Sequence, residues 1–115
     1  MSTELGKQGE ARAADFLRSK GYEIIETNYR HKRNEIDLIA QYKNTLVFVE
    51  VKSKGSVSYG FPEEAVDSKK AARIIEAAEQ YVFEQNWQGL LRFDIVAIIN
   101  NNENSEINHF EDAFY

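Results

Sequence analysis

Charged residues interrupt two apolar segments in the stretch Asn34 to Lys54, at positions where a half-buried strand would normally carry apolar side chains. Glu35 and Asp37 alternate with aliphatic residues in the first segment. In the second segment, Glu50 and Lys52 continue a face that begins with apolar residues. Polar groups are costly at such positions unless they have partners. The stretch therefore predicts two strands that bring charged groups together for binding or catalysis.

The turn between the two strands predicts which charged residues meet. A two-residue hairpin at Lys43–Asn44 suits an Asn, which tolerates left-handed dihedral angles. This turn places Asp37 opposite Glu50 and Glu35 opposite Lys52, whereas a bulge would break the pairing. Directly opposed residues hold their Cβ atoms about 5 Å apart, close enough for two carboxylates to share one cation.

Two facing carboxylates repel each other, so either one of them takes up a proton or a cation joins them. Oxygen ligands suit Mg²⁺ or Mn²⁺, and Mg²⁺ usually takes only one or two carboxylates from the protein. Lys52 projects from the same side of its strand as Glu50, where its ammonium could help to activate a water or stabilise charge on a phosphate. The spacing is equally compatible with a cross-strand charge network of Glu35 and Lys52.

Several motifs, in a fixed order, resemble those of a known family. Asp37 with Glu50-Val51-Lys52 resembles the signature of the PD-(D/E)XK, or restriction-endonuclease-like, superfamily, and the chain from Gly6 to about Ala97 is similar to the YraN family of small bacterial proteins, which are predicted nucleases. The motifs that carry this similarity are Gly6-Lys7-Gln8-Gly9-Glu10, Asn28-Tyr29-Arg30, Glu35 to Ile39, Val47 to Lys52, Gly60 with Pro62, Ala65-Val66, Lys70 and Arg92-Phe93-Asp94.

The resemblance implies a metal-dependent nuclease in which Asp37 and Glu50 hold Mg²⁺ or Mn²⁺. A water activated by the metal would then attack a phosphodiester in line, assisted by Lys52. The resemblance also implies that Glu10, on the first helix, supports the metal site, although an ordinary acid favoured by the helix dipole would occupy the same position. Glu35 is a candidate for a residue that holds the metal ligands in place without contacting the metal itself.

Basic residues flank the two acidic strands. Arg30, Lys32 and Arg33 precede the first strand, and Lys54 ends the second. Such a group can bind nucleic-acid phosphates, but similar groups are common on ordinary solvated surfaces. The sequence therefore makes these four residues candidates for nucleic-acid binding without deciding the matter.

Further candidates for nucleic-acid binding follow the second strand. Tyr59 lies in the turn-rich segment Gly55 to Pro62 and could stack on a base, although the segment also fits a plain connector. Lys70 matches a lysine of the family and could reach a phosphate, whereas the spacing on its helix turns Lys69 and Arg73 toward solvent.

The pattern along the chain predicts an α/β fold, which is a mixed β-sheet flanked by helices in the order α-β-β-β-α-β with an optional extra C-terminal edge strand. The resemblance implies that this sheet is restriction-endonuclease-like. The predicted elements are a helix from Thr3 to Lys20, a strand from Tyr22 to Tyr29, the two acidic strands, a helix from Glu63 to Asn86 with a capped interruption near Asp67-Ser68, a strand from Leu91 to Ile99, and an acidic edge strand or loose tail within 100–115.

Length and composition limit the classes of protein. With 115 residues, residues 1–115 are expected to form one nuclease-like domain. The chain has no cysteine, no membrane-spanning apolar run and no signal-peptide pattern, so we expect a cytoplasmic protein without a membrane partner.

The net charge of −5 weighs against a nucleic-acid binder, since such proteins are more often basic. However, four of the nineteen acids lie in the last stretch of the chain, which has no Lys or Arg. Without that stretch the charges nearly balance, so a local basic patch is compatible with the composition.

The resemblance implies an endonuclease that acts on DNA rather than RNA, with branched or single-stranded DNA as candidate substrates, and nucleases of this fold often act as homodimers. Two other classes stay open. A nucleic-acid-binding module on the same fold would bind without hydrolysis, and a protein-interaction adaptor would bind neither metal nor nucleic acid.

Overall fold

Two α-helices and five β-strands form the part of the chain that the computed structural model describes, which is residues 4–54, 67–101 and 104–114. In chain order they are α1 (Glu4–Ser19), β1 (Glu23–His31), β2 (Asn34–Tyr42), β3 (Thr45–Lys54), α2 (Ser68–Gln85), β4 (Leu90–Asn101) and β5 (Asn104–Phe110). The mixed α/β fold is confirmed, and the C-terminal segment forms the edge strand β5. Within these ranges no helix is long and apolar enough to cross a membrane.

The sheet has the strand order β1-β2-β3-β4-β5. Strands β1, β2 and β3 form an antiparallel meander, and β5 is antiparallel to β4. Strand β4 runs parallel to β3 because the chain crosses back through α2 between them. The predicted hairpin is confirmed, since Tyr42 pairs with Thr45, but the left-handed residue recorded in its turn is Lys43, with φ of 55°.

The two helices cover opposite faces of the sheet. Helix α1 buries the predicted stripe of Ala13, Ala14 and Leu17 against one face. Helix α2 covers the other face and starts after the predicted cap Asp67, whose side chain accepts a hydrogen bond from the Lys70 N–H at 2.8 Å. The first part of the second predicted helix, residues 63–66, lies outside the described residues.

The alternation of side chains between the two faces reverses within β1 and β2. Thr27 pairs with Leu38, which packs under α1, and Tyr29 pairs with Ile36, which packs under α2. In a regular strand, residues two apart point to the same face of the sheet. Here the two pairs are two residues apart but point to opposite faces, so the alternation is reversed between them. Asn28, between Thr27 and Tyr29, has a left-handed φ of 52°. The pairing of β1 with β2 keeps the same register on both sides of Asn28, but the side chains change faces at the level of Asp37.

A buried charge network joins the start of β4 to β5. Asp94 is fully buried and accepts hydrogen bonds from Arg92 at 2.8 and 2.9 Å, from His109 Nε2 at 2.7 Å and from the Asp112 N–H at 3.0 Å. Burial alone would raise the pKa of Asp94, but the hydrogen bonds from His109 and Arg92 outweigh it and hold the pKa below the ordinary value of 3.8. The ionised carboxylate therefore stabilises the fold.

We expect Asp94→Asn to lower the free energy of unfolding at neutral pH by about 3 kcal/mol, because it removes the buried carboxylate that pairs with Arg92 and His109. A lowered folded pKa means that the stabilisation from Asp94 is present above about pH 4 and is lost as the pH falls through the folded value. The variant should therefore lose less stability than the parent on acidification, as measured by urea unfolding. Asp15→Asn, in an exposed pair with Arg18, is the control and should cost less than about 1 kcal/mol.

Candidate active site

The predicted acidic strands meet at the end where their pairing stops. The recorded β2 to β3 ladder has the predicted register and ends at Leu38 and Val49. Asp37 does not continue the ladder, because its Oδ2 accepts a hydrogen bond from the backbone N–H of Val51 at 2.8 Å. The predicted direct opposition of Asp37 and Glu50 is therefore replaced by a side-chain contact across the opening between the strands.

The predicted pairing of Glu35 with Lys52 is wrong. Glu35 pairs with Arg30 of β1, and its carboxylate lies 3.5 Å from the Arg30 guanidinium. The reason is that the β2 to β3 ladder ends at Leu38 and Val49, where the Asp37 side chain accepts the Val51 N–H, so the continuation from which the pairing was extrapolated is interrupted. Glu35 also lines the cavity beside Asp37 and Glu50, so it lies at the opening itself.

The carboxylates of Asp37 and Glu50 are held close together with little access to water. Glu50 is only 5% exposed and Asp37 is half-buried. Burial raises the pKa of Asp37, the neighbouring Glu50 charge and a hydrogen bond with Glu50 raise it further, and Glu10 adds a smaller repulsion, so that the pKa reaches about 8. The site therefore holds acidic groups in an arrangement that favours a proton or a cation.

Two lysines share one oxygen of Glu50. The Lys52 Nζ lies 3.3 Å from Glu50 Oε2, and Lys70 of α2 forms an ion pair with the same oxygen. Burial and the adjacent Lys70 lower the pKa of Lys52. Burial also acts to lower the pKa of Lys70, but the contact with Glu50 outweighs it and raises that pKa.

Glu10 approaches from α1, on the opposite face of the sheet from Lys70. A close contact between α1 and β3 permits this approach, since a Cβ at Gly9 would lie 2.5 Å from Ser53 Oγ. The Asn28 amide then donates hydrogen bonds to Glu10 at 3.0 Å and to Glu35 at 2.9 Å. Asn28 therefore joins the carboxylates of α1 and β2.

Asn28 belongs to one of the family motifs, but its position in the sequence does not predict this contact. Asn and Gly both tolerate a left-handed φ such as that of Asn28. An Asn within a strand-like sequence does not by itself predict that the residue adopts this conformation. Its role follows only from the reversal in the sheet, which places its amide between two acids.

The predicted nucleic-acid-binding residues that the structure describes lie in two different places, the exposed surface and a cavity beside the acids. Arg30 and Lys32 are exposed and pair with Glu35 and with Glu76, the latter pair at 3.8 Å. Arg33 lines a cavity of about 210 Å³ beside Asp37 and Glu50, and so do Lys70 and Arg73. The predicted Tyr59 and the side chain of Lys54 lie outside what the structure describes.

The fold and the site together define an α/β protein with an acid and lysine site at the open end of a mixed sheet. The chain belongs to the family described as "Uncharacterised protein family UPF0102", whose model matches residues 9–98. The matched range includes Glu10, Asp37, Glu50, Lys52 and Lys70, so the whole site lies inside the family region.

Relatives from several bacteria cover nearly the whole chain. A UPF0102 protein of Persephonella marina is 47% identical over 110 residues, which are 95% of this chain and 91% of the relative. A UPF0102 protein of Flavobacterium psychrophilum is 43% identical over 112 residues, 97% of this chain and 94% of the relative. One from Cytophaga hutchinsonii is 52% identical over 93 residues, 81% of this chain and 82% of the relative.

We expect Asp37→Asn to stabilise the protein in the presence of EDTA, and to do so more strongly as the pH rises. The folded pKa of about 8 exceeds the ordinary value of 3.8, so the stabilisation from the protonated group is present below about pH 4 and is lost as the pH rises toward 8. Urea unfolding between about pH 5 and pH 8 measures the difference, whose slope cannot exceed about 1.4 kcal/mol per pH unit for one proton. A difference that stays constant over this range would contradict the coupling.

Asn28→Asp should destabilise the protein by about 1 to 3 kcal/mol, because it replaces the shared donor with a third carboxylate between Glu10 and Glu35. Asp tolerates the left-handed conformation, so the backbone is not the cause of the loss. Thermal or urea unfolding measures the effect, and Asn44→Asp in the exposed hairpin turn is the matched control. Equal losses in the two variants would show that the donation by Asn28 contributes little.

Proposed function

We propose that the protein is a Mg²⁺- or Mn²⁺-dependent endonuclease that hydrolyses phosphodiester bonds in single-stranded or branched DNA. The observation that carries this proposal is the contact of the Asp37 and Glu50 carboxylates beside Lys52, in an opening of the sheet that includes a cavity. A purely structural charge network would not need a half-buried carboxylate whose pKa is raised by burial and by a second acid beside it.

The donor set suits a hard divalent cation. Asp37 and Glu50 offer carboxylate oxygens, and Glu10 lies near enough to repel the Asp37 charge. Among the described residues, no group of three or more His, Cys, Asp or Glu side chains is arranged as a ready metal-binding cluster. The proposed metal therefore rests on two carboxylates, which is the usual number for Mg²⁺. A bound divalent ion would supply charge neutralisation and water activation.

The chain's own residues have distinct tasks in this proposal. Asp37 and Glu50 hold the ion, and the Val51 N–H fixes the orientation of the Asp37 carboxylate. Lys52 stabilises negative charge on the phosphate, and burial lowers the pKa of its ammonium, which makes it easier for Lys52 to give up a proton. Glu10, oriented by Asn28, positions waters at the edge of the site.

The small size of the protein limits the length of duplex that one molecule can contact. A chain of 115 residues offers little surface for a long duplex, so we include a homodimer for cleavage of two strands. The basic groups at the cavity supply the contacts to DNA, although the net charge of the chain is −5.

A non-catalytic nucleic-acid-binding module is the second candidate function. The ion pairs of Lys52 and Lys70 with Glu50 favour it, because they already neutralise this carboxylate without a metal. Under this alternative the protein binds DNA with a steep salt dependence but does not cleave it. An adaptor function predicts neither metal nor DNA binding.

The test is cleavage of labelled single-stranded, duplex, flapped and four-way-junction DNA with Mg²⁺ or Mn²⁺. We expect the parent to cut at least one of these substrates, and Asp37→Asn to reduce the rate by about a hundredfold or more. Since the same variant is expected to be no less stable than the parent, loss of folding would not explain the lost activity.

Asp15→Asn is the control for this assay, because it removes an exposed acid from α1 and should cut like the parent. Equal cleavage by the parent and Asp37→Asn would remove Asp37 from the mechanism. Binding without cleavage by the parent would establish the second candidate function instead.

A further inference from the structure

Six cations near the site differ in whether they have an acidic partner. Lys52 and Lys70 contact Glu50, whereas Arg30 and Lys32 pair with Glu35 and Glu76 on the surface. Neither Arg33 nor Arg73 forms an ion pair with any acid in the described ranges, and both are exposed. These two guanidinium groups are therefore available to an external anion.

Arg33 and Arg73 line the same cavity as the two central carboxylates. Arg33 lies in the turn between β1 and β2, and Arg73 lies one turn along α2 from Lys70. The pKa of Asp67 is lowered mainly by the hydrogen bond from the backbone N–H of Lys70. The positive charge of Arg73 adds a smaller effect in the same direction. Sequence spacing predicted that Arg73 faces solvent, but it also faces this cavity.

The cavity on the opposite face of the sheet lacks this feature. It has a volume of about 350 Å³ and contains two cations, Lys7 and Arg18. Arg18 is already paired with Asp15 at 3.0 Å, and Glu10 adds a further acid. The α2-side cavity also contains the acids Glu35, Asp37 and Glu50, and Lys7 forms no ion pair within the described ranges. The difference between the two cavities is therefore that only the α2-side cavity has two arginines without an acidic partner among the described residues.

The size of the cavity limits what enters. Pockets for drug-sized ligands usually have volumes of about 300 to 1,000 Å³, and this cavity has about 210 Å³. It therefore has room for a phosphate group. Guanidinium groups bind phosphate with two parallel hydrogen bonds, which fixes its orientation as well as its position.

We propose that Arg33 and Arg73 form a phosphate seat, defined as the α2-side wall of this cavity, which binds one backbone phosphate of a nucleic-acid strand. The identity of the ligand rests on the proposed function, but the seat does not require hydrolysis. By holding one phosphate, the two arginines set the position of the strand relative to Asp37 and Glu50.

The test measures binding of a fluorescent single-stranded DNA without terminal phosphates, by anisotropy in EDTA over a range of NaCl concentrations. We expect Arg33→Gln and Arg73→Gln each to weaken binding by about tenfold and to lower the salt slope by about 0.7, which is the effect of losing one phosphate contact. Arg73→Lys keeps the charge but loses the two-point geometry, so it should retain the slope while binding more weakly.

Lys69→Gln is the matched control, because it removes an exposed charge from the same helix and does not line the cavity. Equal effects of Arg73→Gln and Lys69→Gln would overturn the seat, and so would a parent that binds no DNA. A difference seen only with 5′-phosphorylated DNA would also overturn it, since the ligand would then be a terminal phosphate.

Cleavage with Mg²⁺ separates this proposal from the proposed function. A parent that cuts DNA while Arg73→Gln still binds like Lys69→Gln would refute the seat and leave hydrolysis standing. A parent that binds through Arg73 but cuts nothing would support the seat and refute hydrolysis.

Discussion

The reversal of side-chain alternation at Asn28 and Asp37 is the constraint on which the site depends. In a regular sheet, α1 and α2 would each contact only one face, and their side chains would be separated by the strands. The reversal opens the sheet between β2 and β3, so that Glu10 from one helix and Lys70 from the other act on the same pair of carboxylates. The hydrogen bond from the Val51 N–H to Asp37 satisfies a backbone donor within this opening.

The opened sheet also explains why unfavourable charges persist at the site. Asp37 and Glu50 repel each other in a poorly solvated position, and the rest of the fold supplies the stability that holds them there. The buried Asp94 shows the opposite arrangement, because Arg92 and His109 surround it with donors and lower its pKa. The molecule therefore contains one acid that stabilises the fold and one acid pair that is held against repulsion.

Much of the fold follows from local sequence signals, whereas the site follows only in part. The hairpin and its register could be predicted from the turn Lys43–Asn44 and the alternating apolar residues. The helix cap Asp67 was also predicted correctly. The extrapolation to Glu35 and Lys52 failed because the β2 to β3 ladder ends at Leu38 and Val49, and the contact of the Asp37 side chain with the Val51 N–H has no local sequence signal. The position of Arg73 depended on how α2 packs across the sheet, and periodicity along one helix contains no information about that.

Binding of Mn²⁺ to the parent and to Asp37→Asn, measured by isothermal titration calorimetry, tests the central claim most directly. The claim is that Asp37 and Glu50 form one cation site whose mutual repulsion a divalent ion relieves. It predicts binding of about one ion to the parent and much weaker binding to the variant, which keeps the shape of the side chain but removes one charge. Equal binding to both proteins, or no binding to the parent, would contradict it.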